Sequence, residues 1–148
     1  MSCQHVFSSN SRAKVLYLTD KSSGICYLVD TGAGLSVLPP LEIDKPHKGK
    51  GKSLRAANGS EITTYGERAV EIDFGLGRTY NWVFHVAYVT TPILGVDFLA
   101  ACNFNINVHN ASVTDKHTNV SIRANITIID NCNYITVCIT QQQLLTAT

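Results

Sequence analysis

Residues 27–33 decide the fold of this chain, and they read Tyr-Leu-Val-Asp-Thr-Gly-Ala. The first three are aromatic or aliphatic residues, which favour a β-strand. That strand runs directly into Asp30, at the start of a tight turn made by a hydroxyl residue and a glycine. Carboxylates are rarely buried without a partner, so an aspartate that closes a buried strand needs a reason. A plain Asx turn is one such reason.

A second apolar segment, at residues 92–99, reads Pro-Ile-Leu-Gly-Val-Asp-Phe-Leu, and we expect it to pack beneath the Asp30 turn. Either segment alone is weak evidence. In this order and spacing, the two together resemble the retropepsin-type aspartic proteases, in the form found in gypsy-type LTR retrotransposons and their relatives. The resemblance covers roughly residues 12–110.

The resemblance implies a role for each residue of the first turn. Asp30 would be the catalytic carboxylate, and Thr31 would form a hydrogen bond across a twofold axis. Gly32 would allow the tight backbone and offer its carbonyl to a peptide substrate. Ala33 would leave room beside the carboxylate.

The second segment would support that turn from behind, through Leu94, Gly95 and Asp97. Asp97 is expected to be a structural hydrogen-bonding group rather than a second catalytic carboxylate. Gly34 and Leu35 replace acidic residues that some viral members carry. The resemblance therefore implies fewer polar contacts to the ends of a substrate.

The implied chemistry requires two carboxylates. A pair about 3 Å apart shares one proton, so one member takes a proton from water while the other donates to the scissile carbonyl. This chain has only one Asp-Thr-Gly turn, since none of its six other aspartates is followed by Thr-Gly or Ser-Gly. The second carboxylate is therefore expected from an identical chain in a twofold (C2) homodimer.

A hairpin is predicted at residues 54–62, because Asn58-Gly59 stands between β-prone arms and both residues tolerate positive φ. In the family this position holds the flap, which closes over bound peptide. A surface hairpin with no function would look the same locally, and its place after the catalytic turn favours the flap. The candidate substrate-binding residues are Ala57, Asn58, Gly59, Ser60 and Ile62.

Strand-like patterns dominate the rest of the chain, and residues 94–102 form the one plausible helix. Residues 105–108 alternate as a strand, which in the family interleaves with its twofold mate. We therefore predict an all-β, retropepsin-like closed barrel with a flap hairpin and one short helix, working as a C2 homodimer. Residues 41–52 are expected to be loop.

Three parts are expected along the chain. Residues 1–13 are a polar, flexible N-terminal segment, and residues 14–110 are the protease-like domain. Residues 111–148 are a C-terminal extension rich in β-branched residues. The extension either adds strands or links the domain to the next part of a polyprotein, and the sequence leaves both alternatives open.

The composition narrows the function classes. With 148 residues, 45% hydrophobic and 16% charged, the chain suits one folded domain. Its five cysteines are scattered without a Cys-x-x-Cys pair, which argues against a disulfide framework or zinc site and indicates a reducing compartment. No signal peptide or membrane-spanning stretch is visible. We expect a cytoplasmic location, or one within retrotransposon particles, without secretion or membrane partner.

No metal or cofactor is expected. His85 stands alone in its predicted strand, without histidine or cysteine at ligand spacing, so it is interpreted as a packing residue. The basic run at residues 47–52 is either a nucleic-acid contact or a solvated, glycine-loosened elbow. A net charge of only +1 and the lack of interleaved aromatic residues favour the elbow, so no nucleic-acid partner is expected.

The sequence thus predicts an aspartic endopeptidase that cuts extended polypeptide, with the Gag- and Pol-type polyproteins of its own element as the expected substrates. The peptide would bind as an added strand between the flap and Asp30. The alternative is a catalytically inactive, transposon-derived domain that dimerises or binds peptide with the same groove.

Overall fold

The computed structural model describes residues 12–130 of the chain. Nearly all of the predicted N-terminal segment lies outside these residues, as does the last part of the C-terminal extension. In chain order, the elements are β1 Arg12–Thr19, β2 Cys26–Val29, β3 Val37–Leu38, a 3₁₀-helix Glu42–His47, β4 Leu54–Arg55, β5 Glu61–Ile62, β6 Thr64–Ile72, β7 Tyr80–Ala87, β8 Ile93–Leu94, α1 Val96–Ala101, β9 Phe104–Asn107, β10 Ser112–Asp115, β11 Val120–Arg123 and β12 Asn125–Asp130.

Seven strands form the main sheet, in the order β12-β1-β2-β8-β3-β7-β6. The short strand β8 is central, because it pairs in parallel with β2 at Leu28 and antiparallel with β3 at Val37, using Ile93 for both. This pairing places residues 92–99 directly beside residues 27–33. The two segments that carry the resemblance are therefore neighbours in space, as the sequence predicts.

An aromatic core holds β2, the strand before Asp30, and α1, the helix after β8, in one hydrophobic cluster. The Tyr27 ring lies 5.7 Å from the Phe74 and Phe84 rings, and Phe98 of α1 packs edge-on against Phe74 and Tyr80. All five side chains are buried. Each contributes about 1.5–3 kcal/mol through burial, so β2 and α1 are held with little freedom to shift.

The predicted helix is present as α1, which is only six residues long. No helix within residues 12–130 is long and apolar enough to cross a membrane. The expectation of loop throughout residues 41–52 is wrong, because a 3₁₀-helix occupies Glu42–His47. The buried Asp44 carboxylate stabilises it by accepting the Leu41 amide at 2.7 Å and an ion pair from Arg68.

The described part of the C-terminal extension adds strands. β12 pairs antiparallel with β1 at the edge of the main sheet, and β9, β10 and β11 form a separate three-stranded sheet. The chain therefore crosses residue 110 within the hairpin that joins β9 to β10. The domain bounds drawn from the sequence remain a prediction.

A buried ionic cluster around Asp115 connects the three-stranded sheet to the main sheet. Its Oδ2 accepts the Arg78 Nε–H at 2.7 Å and the Tyr80 hydroxyl at 2.6 Å, while Arg78 also donates to the Cys102 carbonyl after α1. Burial alone would raise the pKa of Asp115, but the hydrogen bonds from Tyr80 and Arg78 lower it to about 2. The cluster fixes the end of α1 against the three-stranded sheet.

Candidate active site

Asp30 stands at the end of β2, and the backbone around it is fixed on both sides. Its amide donates to the Leu94 carbonyl at 3.0 Å, and its own carbonyl accepts the Ala33 amide at 3.1 Å. One carboxylate oxygen, Oδ1, accepts the Gly32 amide at 2.9 Å. Only 8% of the residue is exposed. The turn therefore holds a carboxylate in one orientation at the edge of the core.

The segment behind the turn supports it through the backbone. The Val96 amide donates to the Ala33 carbonyl at 2.7 Å. A Cβ atom on Gly95 would lie 2.6 Å from the Leu35 carbonyl carbon and oxygen and 2.9 Å from the Ala33 oxygen. These are backbone atoms that cannot move aside easily, so this crossing requires glycine. The predicted supporting residues Leu94 and Gly95 both lie directly against the turn.

Asp97 lies behind the turn as well, where it binds Ser36. Its Oδ1 accepts the Ser36 hydroxyl at 2.7 Å and its Oδ2 accepts the Ser36 amide at 3.1 Å. The same hydroxyl accepts the Gly95 amide at 2.9 Å. We call these three residues the Ser36–Asp97–Gly95 clamp. It joins the chain on both sides of the crossing and leaves the Asp97 carboxylate fully engaged there.

Sequence reasoning named Asp97 and Gly95 but missed Ser36. The available signal was a hydroxyl residue among the apolar residues 35–38, because a buried polar group requires a partner. That signal does not say which partner. Only the pairing of β3 with β8 brings Ser36 to Asp97, which is 61 residues later in the chain.

The hairpin predicted at residues 54–62 is present as β4 and β5, with residues 57–60 exposed at its tip, and we call it the flap after the role predicted for it. The Gly59 amide donates to the Ala56 carbonyl at 3.0 Å and the Ala56 amide donates to the Ser60 carbonyl at 2.8 Å. Positive φ occurs in this turn only at Gly59, at 86°. Asn58 does not use the positive φ that it tolerates, and its side-chain oxygen accepts the Ser60 amide and hydroxyl.

The base of the flap shares an apolar cluster with the active-site turn. Buried Leu54 of β4 packs with Ala33 and Leu35, and half-buried Ile62 of β5 packs against the same cluster. Val37, Ala87 and Ile93 complete it. The structure therefore brings Ile62 to the site, while the tip residues Ala57, Asn58, Gly59 and Ser60 contact solvent and one another.

An open groove of about 570 Å³ begins at Thr31, whose side chain is exposed. The groove runs between α1 and β9. The residues that line it are Thr31, Val96, Leu99, Ala100, Asn103, Phe104, Asn105, Ile106 and Lys116. Most of these side chains are apolar, and β9 is an edge strand whose second side carries no strand among residues 12–130.

Possible metal ligands are the next feature of this part of the chain. Within residues 12–130, no three histidine, cysteine, aspartate or glutamate side chains come together as possible metal ligands. His85 lies in β7 beside Glu67, with 3.7 Å between Nδ1 and Oε2. The site as described consists of one oriented carboxylate, its backing clamp and a nearby hairpin.

Comparison with known proteins identifies the fold. Neither a scan of protein-family models nor a search of curated proteins gives a match. This chain is similar to the crystal structure of the retroviral protease-like domain of Ddi1 from Leishmania major, with 18% sequence identity and a TM-score of 0.53. The match covers 76% of this chain and 95% of that one. It is also similar to the EIAV protease in complex with an inhibitor, with 23% sequence identity and a TM-score of 0.47. That match covers 70% of this chain and 99% of the other. The chain has an all-β, retropepsin-like fold.

Proposed function

We propose that this chain is an aspartic endopeptidase of the retropepsin type, in which two copies of Asp30 activate one water molecule. The observation that carries the proposal is the Asp30 turn, which is oriented by the Gly32 amide and backed by residues 92–99. In the proposed reaction, the ionised member of the pair accepts a proton from water. The protonated member donates to the scissile carbonyl. The titration belongs to the pair rather than to either copy.

The second carboxylate comes from an identical chain, because this sequence contains one Asp-Thr-Gly turn. The exposed Thr31 and the adjoining apolar groove supply a surface for that second copy, with 44% of Val96 exposed beside it. The edge of β9 that pairs with no other strand of residues 12–130 adds backbone donors and acceptors. The proposed twofold axis passes between the two Asp30 residues.

The proposed substrate is an extended polypeptide that lies between Asp30 and the flap. A strand-like peptide gains affinity from main-chain hydrogen bonds and specificity from alternate side-chain pockets. Half-buried Ile62 packs against the apolar cluster of Leu54 and Ala33, and we expect its exposed part to favour an apolar side chain on the peptide. Gag- and Pol-type polyproteins of a retrotransposon are the proposed natural substrates.

The test is cleavage of a pooled peptide library by the purified chain and by Asp30→Asn. We expect the substitution to lower the rate by about 10³-fold or more, because it removes the shared-proton carboxylate while keeping its shape. A matched control is Asp73→Asn, since Asp73 also accepts the amide two residues later, that of Gly75 at 2.8 Å. This control should keep full activity.

Three outcomes separate the proposal from its rivals. Cleavage by Asp30→Asn at the wild-type rate would overturn the aspartic mechanism. Loss of activity on adding a chelator alone would indicate a metalloprotease. A folded, dimeric wild-type chain that cleaves nothing in the library would favour the inactive, peptide-binding alternative.

A further inference from the structure

A largely buried histidine is joined through its backbone to the clamp behind Asp30. His85 is in the middle of β7, where its amide donates to the Ser36 carbonyl at 3.2 Å. It pairs with Glu67 of β6 on one side and with Val37 of β3 on the other. Only 12% of its side chain is exposed. The proposed reaction makes no use of this titratable group.

The charges that act on the ring come from three other segments of the chain. Glu67 of β6 places Oε2 3.7 Å from Nδ1, Lys52 acts from the loop before β4, and Asp97 acts from α1. β3 contributes only apolar residues, and β7 itself contains no other charged residue. Nδ1 has no hydrogen-bond partner among the described residues. A proton taken up here would create a cation with little hydration.

The balance of these effects favours the neutral ring. Burial lowers the pKa of His85 below its ordinary value of 6.5, Lys52 lowers it further, and Glu67 and Asp97 act in the opposite direction. The Glu67 side chain is 54% exposed and Lys52 is exposed as well, so solvent screens both charges and burial of the ring is the largest effect. An unfolded chain therefore binds this proton more readily than the folded one as the pH falls.

We propose that His85 is a pH-sensing residue whose protonation loosens the flap base and the Ser36–Asp97–Gly95 clamp. The protonated ring repels Lys52, which stands two residues before the buried Leu54 of the flap base. It also attracts Asp97 away from Ser36. One titration therefore acts on the closing element and on the support of the catalytic turn.

The sign of the stability change follows from linkage. Because the folded-state pKa is lowered, the stabilising contribution is complete above the unfolded value of 6.5 and is lost as the pH falls from there to the folded-state pKa. Uptake of one proton changes the folding equilibrium constant by at most about tenfold per pH unit. Below the folded-state pKa, this contribution stays constant.

The first experiment measures unfolding by denaturant between pH 7.5 and 5 for wild type, His85→Gln and His117→Gln. His117 is an exposed histidine in the turn between β10 and β11 and serves as the matched control. Wild type and the control should lose stability as the pH falls below about 6.5. His85→Gln should lose less stability, because its unfolding takes up fewer protons, by up to one per chain. Equal slopes for all three proteins would overturn the proposal.

Two neighbouring charges give predictions of opposite sign. Lys52→Gln removes a repulsion, so it should raise the pKa of His85 and reduce the loss of stability. Glu67→Gln removes an attraction, so it should lower that pKa and increase the loss. If His85→Gln does not fold, NMR titration of the His85 ring in the wild-type protein decides the matter. A midpoint at or above 6.5 would contradict the proposal.

Amide hydrogen exchange tests the consequence for the flap. After correction for intrinsic rates, the Ala56 and Gly59 amides should exchange faster at pH 5.5 than at pH 7.5 in wild type, but not in His85→Gln. Unchanged protection would remove the link to the flap. An effect on peptide binding, seen as a higher KM at pH 5.5 in wild type alone, rests on the proposed protease function. The stability, NMR and exchange measurements stand without it.

Discussion

The turn at Asp30 and the turn at Asn58 are built from the same local contact. In each, a side-chain oxygen accepts the amide of the residue two positions later, at 2.9 Å in both cases. They differ in what lies behind them. The Asp30 turn rests on a crossing with residues 92–99, whereas the Asn58 turn is exposed and is held by hydrogen bonds within its own hairpin.

This difference matches the two tasks that the proposed reaction sets. A catalytic carboxylate must be held within a fraction of an ångström, which requires contacts from segments distant in sequence. A flap must open and close, which requires weak local contacts on a fixed base. The following substitutions test whether the contrast between the two turns is real.

The largest effect on stability is expected for Gly95→Ala, because the new Cβ would lie 2.6 Å from the Leu35 backbone. Such overpacking against backbone atoms should lower the free energy of unfolding by about 3 kcal/mol or more, at or above the upper end of the usual range, with a lower kcat. The control is Gly49→Ala, which has a φ of 88° and open space for the Cβ. It should lower stability by only about 1–2 kcal/mol and leave kcat unchanged. A wild-type kcat in a folded Gly95→Ala would mean that this crossing does not position Asp30.

A smaller loss is expected for Ser36→Ala. The Gly95 amide would lose a buried hydrogen bond and one Asp97 oxygen a part-buried one, which should lower the free energy of unfolding by about 1–3 kcal/mol. Ser60→Ala is the counterpart in the flap, where an exposed hydroxyl donates to Asn58 at 2.6 Å. It should change stability by no more than about 0.5 kcal/mol. Equal losses in denaturant unfolding would remove the contrast.

A mainly kinetic effect is expected for Gly59→Val. A β-branched residue resists the φ of 86° at the flap tip, so closure should become harder. We expect KM to rise and kcat to fall together, by about tenfold overall. Gly49→Val places the same strain outside the hairpin and should leave both constants unchanged. If Gly59→Val has wild-type kinetics, this hairpin is not the flap.

The same contrast explains what the sequence could predict. Asp30, Asp97 and the Asn58-Gly59 hairpin carry signals within a few neighbouring residues. Ser36 acquires its importance only when β3 meets β8, and the 3₁₀-helix depends on Arg68 from β6 meeting Asp44. Long-range partners of this kind leave no local pattern. The extension after residue 110 remained open for that reason, since the pairing of β12 with β1 joins residues more than 100 positions apart.

The central claim is that one chain supplies half of the active site. Specific activity should therefore fall on dilution through the dimer dissociation constant. The most direct measurement is to refold wild type together with an equal amount of Asp30→Asn, above that constant, and to compare turnover with an equal total of wild type. If two Asp30 residues are needed, random pairing leaves about one quarter of the activity. Activity at one half, with subunit exchange verified by tagged pull-down, would show that each chain works alone and would contradict the account.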